Sequence, residues 1–448
     1  MTIHFVGIGG VSMSALAMLT RARGAVVTGS DRVESGTTVR LRRGGIPVAV
    51  PGGRLPVGTD RVVRTSAVPD TDPEIVAARS RRIPVVERAE ALGEIAAGYG
   101  TCFAVAGAHG KTTASGALAK ILLPRDPTLH IGGEANFMTG SCRVGGTAYF
   151  VTEACEYRRN FLTLRPDVAV VLNIDADHLD YFRDIDDICD AFAAFAANVR
   201  PGGLLAVNGD DPRAAALPVP TGVRRVTFGL AAHNDYTAAD VAEDDYGIGY
   251  TVLERGAPLC AVRPGIQGRH NVYNILAAVA AARVTPVTTA ELVAGITDYY
   301  GMDRRYQTVG TLNGARLIID YAHHPAELKS VLTLAKRSAH KRLWAVFQPH
   351  TYSRTRALLP AFADSLDADE ILLCPIYAAR EAPIEGVTSR ALEALIKQKR
   401  PSARVRTAAS LPAAAAVLRA EVASGDLVLI LGAGDVVKIT EMVARNKA

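Results

Sequence analysis

Between Cys102 and Ala114 the chain reads Cys-Phe-Ala-Val-Ala-Gly-Ala-His-Gly-Lys-Thr-Thr-Ala. An apolar run meets two glycines, then a lysine and two threonines, and a helical pattern follows. Backbone N–H groups at such a turn point outward, and the helix N-terminus adds positive potential. That is a cradle for a chain of phosphates. Lys111 would neutralise the phosphates and the Thr112 hydroxyl would hold Mg2+. The expected ATP segment is therefore Gly107, Ala108, His109, Gly110, Lys111, Thr112 and Thr113. The strict pattern G-x-x-x-x-G-K-[ST] is not fully met, because Val105 stands at its first glycine.

Four more constellations carry chemistry. Phe5-Val-Gly7-Ile-Gly9-Gly10-Val-Ser12, with Ser30-Asp31 at the end of the next apolar run, has the form of a glycine turn for a nucleotide diphosphate. Ser12 replaces its third glycine. Thr152-Glu153-Ala-Cys155-Glu156 and Asn173-Ile-Asp175-Ala-Asp177-His178-Leu-Asp180 follow two further apolar runs. Carboxylates at strand ends beside a phosphate loop suit Mg2+, which takes oxygen ligands and bridges phosphates; helix capping is the alternative. Gly268-Arg-His270-Asn271-Val-Tyr-Asn274 opens an apolar helix, where Asn271 either pairs with a purine edge or caps the helix. Finally come Arg304-Arg305, Asp320-Tyr321-Ala-His323-His324-Pro325 and Phe347-Gln-Pro-His350-Thr351-Tyr-Ser-Arg354-Thr-Arg356. Histidine and arginine in strand-end loops suit a carboxylate or phosphate partner.

The elements that must position these residues alternate. Up to about residue 98, runs at 3–6, 25–28, 47–50, 61–65 and 84–86 predict strands, and 12–23, 37–43, 74–81 and 89–97 predict helices. Alternation of that kind means a parallel sheet covered by helices. The phosphate loop opens a second unit, 99–302, with strands expected at 149–152, 168–173 and 204–208. Its stretch 234–268 lacks helical period and predicts a small antiparallel sheet, before helices at 272–283 and 289–299. A third unit, 303–448, has strands expected at 316–320, 343–348, 370–375 and 426–431, and a helix near 411–423. The fold class is α/β in three domains: 1–98 Rossmann-like, 99–302 a phosphate-loop ATPase domain, and 303–448 again Rossmann-like.

Composition narrows the function. With 448 residues, 49% hydrophobic, the chain can fill several cores. A net charge of +5, with scattered Arg-Arg pairs, makes no nucleic-acid stripe. Six cysteines without a C-x-x-C pair read as reduced thiols of a cytoplasmic protein. No apolar run reaches the roughly 18 residues of a membrane span, and no leader pattern precedes the first strand, so membrane insertion is not expected.

Taken together, G-x-H-G-K-T-T, D-A-D-H-L-D, G-x-H-N-x-x-N, R-R-[FY], D-Y-A-H-H-P-x-E and Q-P-H-x-Y-x-R-T-R resemble the motifs of the Mur ligases of bacterial cell-wall synthesis, in order and over the whole chain. The opening Gly-Ile-Gly-Gly-x-x-Met-Ser and Gly29-Ser30-Asp31 resemble the branch that adds L-alanine to UDP-N-acetylmuramate. The resemblance implies ATP and Mg2+ as cofactors and an acyl-phosphate route to an amide. It also implies a monomer or dimer. Gly7, Gly9 and Gly10 would hold the UDP diphosphate, with Ser30, Asp31 and Ser66 nearby. Thr112 and Glu153 would ligate one Mg2+ and His178 a second. Asn271 would reach adenine, and Arg305 and Asp320 the ribose or phosphates. With Lys111 as the catalytic cation, His323 and Arg354 would position L-alanine and the muramoyl carboxylate. Two positions depart from the common family pattern: Cys155 stands in E-A-D-E for the Asp, and Thr351 where many members have Arg. The alternative is a recycling ligase that joins a murein tripeptide to the same sugar. A nicotinamide oxidoreductase built on the Gly7 turn would leave Gly-Lys-Thr-Thr unexplained, and a non-catalytic regulator would bind ATP without releasing ADP.

Overall fold

Every apolar run singled out above becomes a strand, and the strands sort into three sheets. The computed structural model describes residues 1–178, 181–244, 247–379 and 381–443. It forms two compact units, Met1–Met302 and Asp303–Ala448.

The first sheet is parallel, with spatial order Val48–Ala49, Val26–Ser30, Thr2–Val6, Arg61–Arg64, Val85–Glu87. The order reverses beside Thr2–Val6, so the Gly7 turn opens at the crevice where α/β sheets take ligands. That turn is packed tightly: a Cβ on Gly29 would lie 2.4 Å from Ile8 Cδ1, so the neighbouring strand must carry a glycine there.

Ten strands make the second sheet. Its centre is Thr101–Ala106, flanked by Tyr149–Glu153 on one side and Val168–Val171 on the other, all parallel. Cys102 through Ala106 are buried without alternation, as a strand covered on both faces requires. The three strand ends therefore converge on the phosphate loop. The expected antiparallel sheet is not separate. Tyr236–Asp244, Gly247–Glu254 and Ala257–Val262 extend the same sheet, joined through the single register pair Phe228↔Tyr236.

One apolar core runs from Phe5 and Leu16 through Ile95, Tyr99 and Phe150 to Phe192, which is why Met1–Met302 holds together. A fully buried Phe in it contributes about 1.5–3 kcal/mol. The helix Arg88–Ala96 lies against the segment Tyr157–Thr163 so closely that a Cβ on Gly93 would be 2.4 Å from the Thr163 carbonyl oxygen.

The sheet of the second unit runs Gln307–Leu312, Ala315–Asp320, Leu427–Leu431, Leu343–Phe347, Glu370–Leu373, Val405–Thr407. Only its first pair is antiparallel. Among the described residues no helix is long and apolar enough to cross a membrane.

Candidate active site

The Gly7 turn is built by its own sequence. Gly7 has φ +78°, and the Gly7 and Ile8 N–H groups donate to the Ser30 carbonyl at 2.9 and 3.0 Å. Gly9 N–H donates to Asp31 Oδ2 at 2.8 Å, so Asp31 shapes the turn. Ser30, 1% exposed, turns its hydroxyl inward and donates to Glu74; its side chain does not face the crevice. Ser66 is exposed just beyond Arg61–Arg64. Gly10 is the N-cap of the helix Val11–Ala22, leaving the first N–H groups of that helix without a capping side chain.

Ser12, in the first turn of that helix, begins a relay that the motifs did not reveal. Arg88 Nη1 donates to Ser12 Oγ at 3.1 Å, and Ser12 Oγ lies 2.8 Å from His130 Nε2. His130 Nδ1 lies 2.9 Å from Thr152 Oγ1, which donates to the Glu153 carbonyl at 3.0 Å. One set of protons satisfies the chain: Ser12 donates to Nε2, and Nδ1–H donates to Thr152. Burial, with Arg88 nearby, pushes the imidazole down to about 3, so the neutral ring this pattern needs is the stable one.

The phosphate loop is hydrogen-bonded by one asparagine and packed against another. Ala108 N–H donates to the Asn173 carbonyl at 3.2 Å and His109 N–H to Asn173 Oδ1 at 2.8 Å, while Asn173 Nδ2 returns to the His109 carbonyl at 3.0 Å. Gly110 is left-handed at φ +88°, and a Cβ there would be 2.4 Å from Asn274 Oδ1. Asn274 Nδ2 in turn donates to Asn271 Oδ1 at 2.8 Å, and Asn271 Nδ2 to the Gln267 carbonyl at 2.6 Å. Asn271 is not the cap of the helix His270–Ala282; Arg269 takes that position, without a side-chain bond. The helix Lys111–Leu122 follows Gly110 directly.

Lys111 Nζ donates to both oxygens of Glu156 at 3.0 Å and to the carbonyls of Gly107 and Ala108 at 2.5 and 3.2 Å. Burial is the largest influence and would lower its pKa, but the charge and hydrogen bond of Glu156 and the other acidic neighbours together outweigh it and the pKa is raised, so Lys111 is an ammonium at neutral pH. Glu153 Oε1 accepts from Gly132 N–H at 2.7 Å. The Thr112 methyl packs on the adjoining Gly133. His178 Nε2 is 3.6 Å from Glu156 Oε1 and 3.8 Å from Asp177 Oδ2, and its ring lies against Tyr157. Glu156, Asp177 and His178 offer ligand atoms within 4.8 Å of one another. Asp180, the last acid of that motif, lies outside the described residues. Cys155 is a free thiol whose pKa is raised by burial, so it is uncharged at neutral pH.

In the second unit, Asp320 is 5% exposed and accepts from the Tyr306 and Ala322 N–H groups at 2.7 Å each. Burial pushes it up to about 6 against the opposing Arg305 charge. The Arg305 guanidinium lies 5.2 Å from the centre of the Tyr321 ring. His323 Nδ1 is 3.0 Å from the Tyr321 carbonyl, to which it can only donate, leaving Nε2 as an acceptor. The His323 and His350 rings are 5.8 Å apart, and Arg354 Nη1 is 3.4 Å from His350 Nδ1. Burial, then neighbouring cations, lowers His323, and burial, His323 and Arg354 push His350 down to about 4. Thr351, at φ +65°, is the N-cap of Tyr352–Ser365, and its hydroxyl accepts from Arg354 N–H at 3.4 Å. The structure thus gathers His323, His350 and Arg354, and gathers Lys111, Glu156 and His178.

Three family descriptions match in series: Mur ligase family, catalytic domain, over residues 2–100; Mur ligase middle domain over 105–282; and Mur ligase, glutamate ligase domain, over 304–434. The UDP-N-acetylmuramate–L-alanine ligase of Agathobacter rectalis is 40% identical over 98% of this chain and 96% of its own length. That of Caldanaerobacter subterraneus subsp. tengcongensis is 41% identical over 98% and 96%. Among solved structures, the UDP-N-acetylmuramate–alanine ligase of Thermotoga maritima aligns with TM-score 0.83 at 27% identity, covering 98% of this chain and 97% of that one. A murein peptide ligase from Psychrobacter arcticus aligns with TM-score 0.75 at 24% identity over both full chains, a likeness of fold.

Proposed function

The chain belongs to the Mur ligase family, and from that membership and its phosphate-loop geometry we propose that it is the ATP-dependent enzyme joining L-alanine to the lactyl carboxylate of UDP-N-acetylmuramate. The product is a peptidoglycan precursor. The observation that carries this reading is the loop Gly107–Thr113, hydrogen-bonded by Asn173 and packed against Asn274, with the charged Lys111 within it, in a chain that matches alanine-adding relatives over nearly its whole length. Tripeptide recycling has behind it structural likenesses at 24% and 26% identity, against 40% and 41% for the alanine-adding relatives, and is not favoured.

A carboxylate is a poor electrophile. ATP, when bound, supplies the phosphoryl group that makes it a good one. The lactyl carboxylate attacks the γ-phosphorus and becomes an acyl phosphate. The alanine amine then attacks its carbonyl carbon, inorganic phosphate leaves, and the amide remains. Lys111 neutralises the charge that builds on the transferring group.

We assign residues 1–98 to the UDP-sugar, 99–302 to ATP and 303–448 to the amino acid. Gly7, Gly9 and Gly10 offer N–H groups to the diphosphate, with Asp31 holding the turn and Ser66 at its rim. Ser30 contributes its carbonyl to the turn. Asn271 acts toward adenine and, through Asn274, on the phosphate loop. Arg305 and Asp320 take the ribose and phosphate role. The neutral His323 and the Arg354 guanidinium orient alanine and the muramoyl carboxylate. For Mg2+, the donors fit: the Thr112 hydroxyl and Glu153 carboxylate near the loop, and the carboxylates of Glu156 and Asp177 beside His178, are mostly hard oxygens. Bound there, Mg2+ would neutralise β- and γ-phosphate oxygens. Such ATP-dependent precursor chemistry belongs in the cytoplasm.

The test is phosphate release with ATP, Mg2+ and UDP-N-acetylmuramate, with and without L-alanine. Release that requires all three substrates is expected. Release with the murein tripeptide but not with L-alanine would overturn the assignment.

A further inference from the structure

Lys111 is fully committed where it stands. Its ammonium has four acceptors within reach, two of them the oxygens of Glu156. An ammonium has three protons to give. It cannot hold Glu156 with both oxygens and also grip a γ-phosphate. Glu156 cannot simply be left behind, because it is 2% exposed and a buried carboxylate without a cation is strongly disfavoured. The same Glu156 Oε1 already lies 3.6 Å from His178 Nε2, on the side where Asp177 adds a third ligand atom.

We infer that Glu156 exchanges partners during ATP binding, passing from Lys111 to the divalent cation beside Asp177 and His178, so that the cation releases Lys111 to the phosphates. Glu156 is thus a positioning residue for Lys111 as well as a ligand for the cation. The inference rests on the reading of Gly107–Thr113 as the ATP loop. Its consequence is a coupling: nucleotide and cation each bind better in the presence of the other, through Glu156. Such coupling is reciprocal by linkage. A role for Glu156 confined to holding the fold together would produce no such coupling.

The experiment is calorimetric titration of the full chain with ATP, without UDP-sugar or amino acid, in EDTA and in Mg2+. In EDTA, Glu156→Gln should bind ATP about tenfold more tightly than wild type, because no carboxylate competes for Lys111, and its gain on adding Mg2+ should shrink by about the same factor. A second arm uses Mn2+ alone, followed by its paramagnetic resonance signal. Lys111→Met frees Glu156 and should bind Mn2+ about tenfold more tightly than wild type. Equal ATP affinity of wild type and Glu156→Gln in EDTA with an unchanged Mg2+ gain overturns the exchange, and so does Mn2+ binding to Lys111→Met no tighter than to wild type. Wild type that binds no ATP in either buffer overturns the reading of the loop, and the exchange with it. If Glu156→Gln fails to fold, the Mn2+ arm decides alone.

Discussion

The Lys111–Glu156 pair makes a stability prediction that can be worked from its geometry. At 3.0 Å and an effective dielectric of 20, the Coulomb attraction is about 5–6 kcal/mol. Desolvation offsets much of it. Their side chains are 16% and 3% exposed, so the burden of an unmatched charge falls mainly on Glu156. Lys111→Met should therefore cost about 3 kcal/mol, the lower end for breaking a buried pair, since His178 can share the carboxylate. Glu156→Gln should cost about 1–2 kcal/mol, because Lys111 keeps the carbonyls of Gly107 and Ala108. The double variant carries neither charge and should resemble Glu156→Gln, a coupling of about 3 kcal/mol. Differential scanning calorimetry reads this as a fall of about 6 °C in the melting of Met1–Met302 for Lys111→Met, with about half of it recovered in the double variant. The single tryptophan, Trp344, lies in the other unit, so its fluorescence transition should not move and serves as the control. If Lys111→Met melts with wild type, or the double variant melts with Lys111→Met, the pair does not have the strength argued for it.

Two further outcomes follow from buried titratable groups. Asp320 has its folded pKa raised to about 6, chiefly by burial, so its contribution to stability is complete below about pH 4 and is lost as pH rises through 6. The loss is about 3 kcal/mol, and urea unfolding followed by Trp344 at pH 4 to 7 should show that slope in wild type and not in Asp320→Asn; parallel slopes would refute it. His130→Phe removes both ring nitrogens and strands the Ser12 and Thr152 hydroxyls, at about 1–3 kcal/mol each, so stability falls and KM for the UDP-sugar rises while His130→Gln loses less of both. An unchanged KM in a folded His130→Phe would separate the relay from the Gly10 turn.

What could be read from sequence was set by how local the signal is. Thr101–Ala106 and Leu427–Leu431 are unbroken apolar runs and show themselves as buried strands. Thr128–His130 and Val405–Thr407 have three residues each; the polar Thr128 and His130 are buried by tertiary packing, Arg406 and Thr407 are only half-buried, and nothing local marks either strand. The antiparallel ribbon was recognisable by its lack of helical period, but its place at the edge of the central sheet depends on one register pair that no pattern encodes. Among site residues the phosphate loop is contiguous and legible. The Lys111–Glu156 pair spans 45 positions, and the only sequence hint was a second acid three residues after Glu153. His130 carried no hint at all. Its partners come from 118 residues before it and 22 after it, and only the fold brings Ser12 and Thr152 to either side of its ring.

The two departures from the common family pattern are absorbed in different ways, and the difference bears on how the site treats charge. Thr351 gives up an arginine but caps its helix, and its hydroxyl meets the backbone N–H of Arg354, so the guanidinium that remains is anchored at its root. Cys155 gives up a carboxylate beside Lys111. Its thiol is held neutral by burial, so Lys111 is matched by Glu156 alone in direct contact, with Glu153 bonded to Gly132. Removing that extra negative charge lowers the electrostatic barrier to bringing a triphosphate beside the loop. It also leaves Glu156 as the one carboxylate that must change partner when Lys111 turns to phosphate. Restoring the acid with Cys155→Asp would place a second carboxylate beside the same ammonium, and with it a second claim on Lys111 that a cation must satisfy before ATP can.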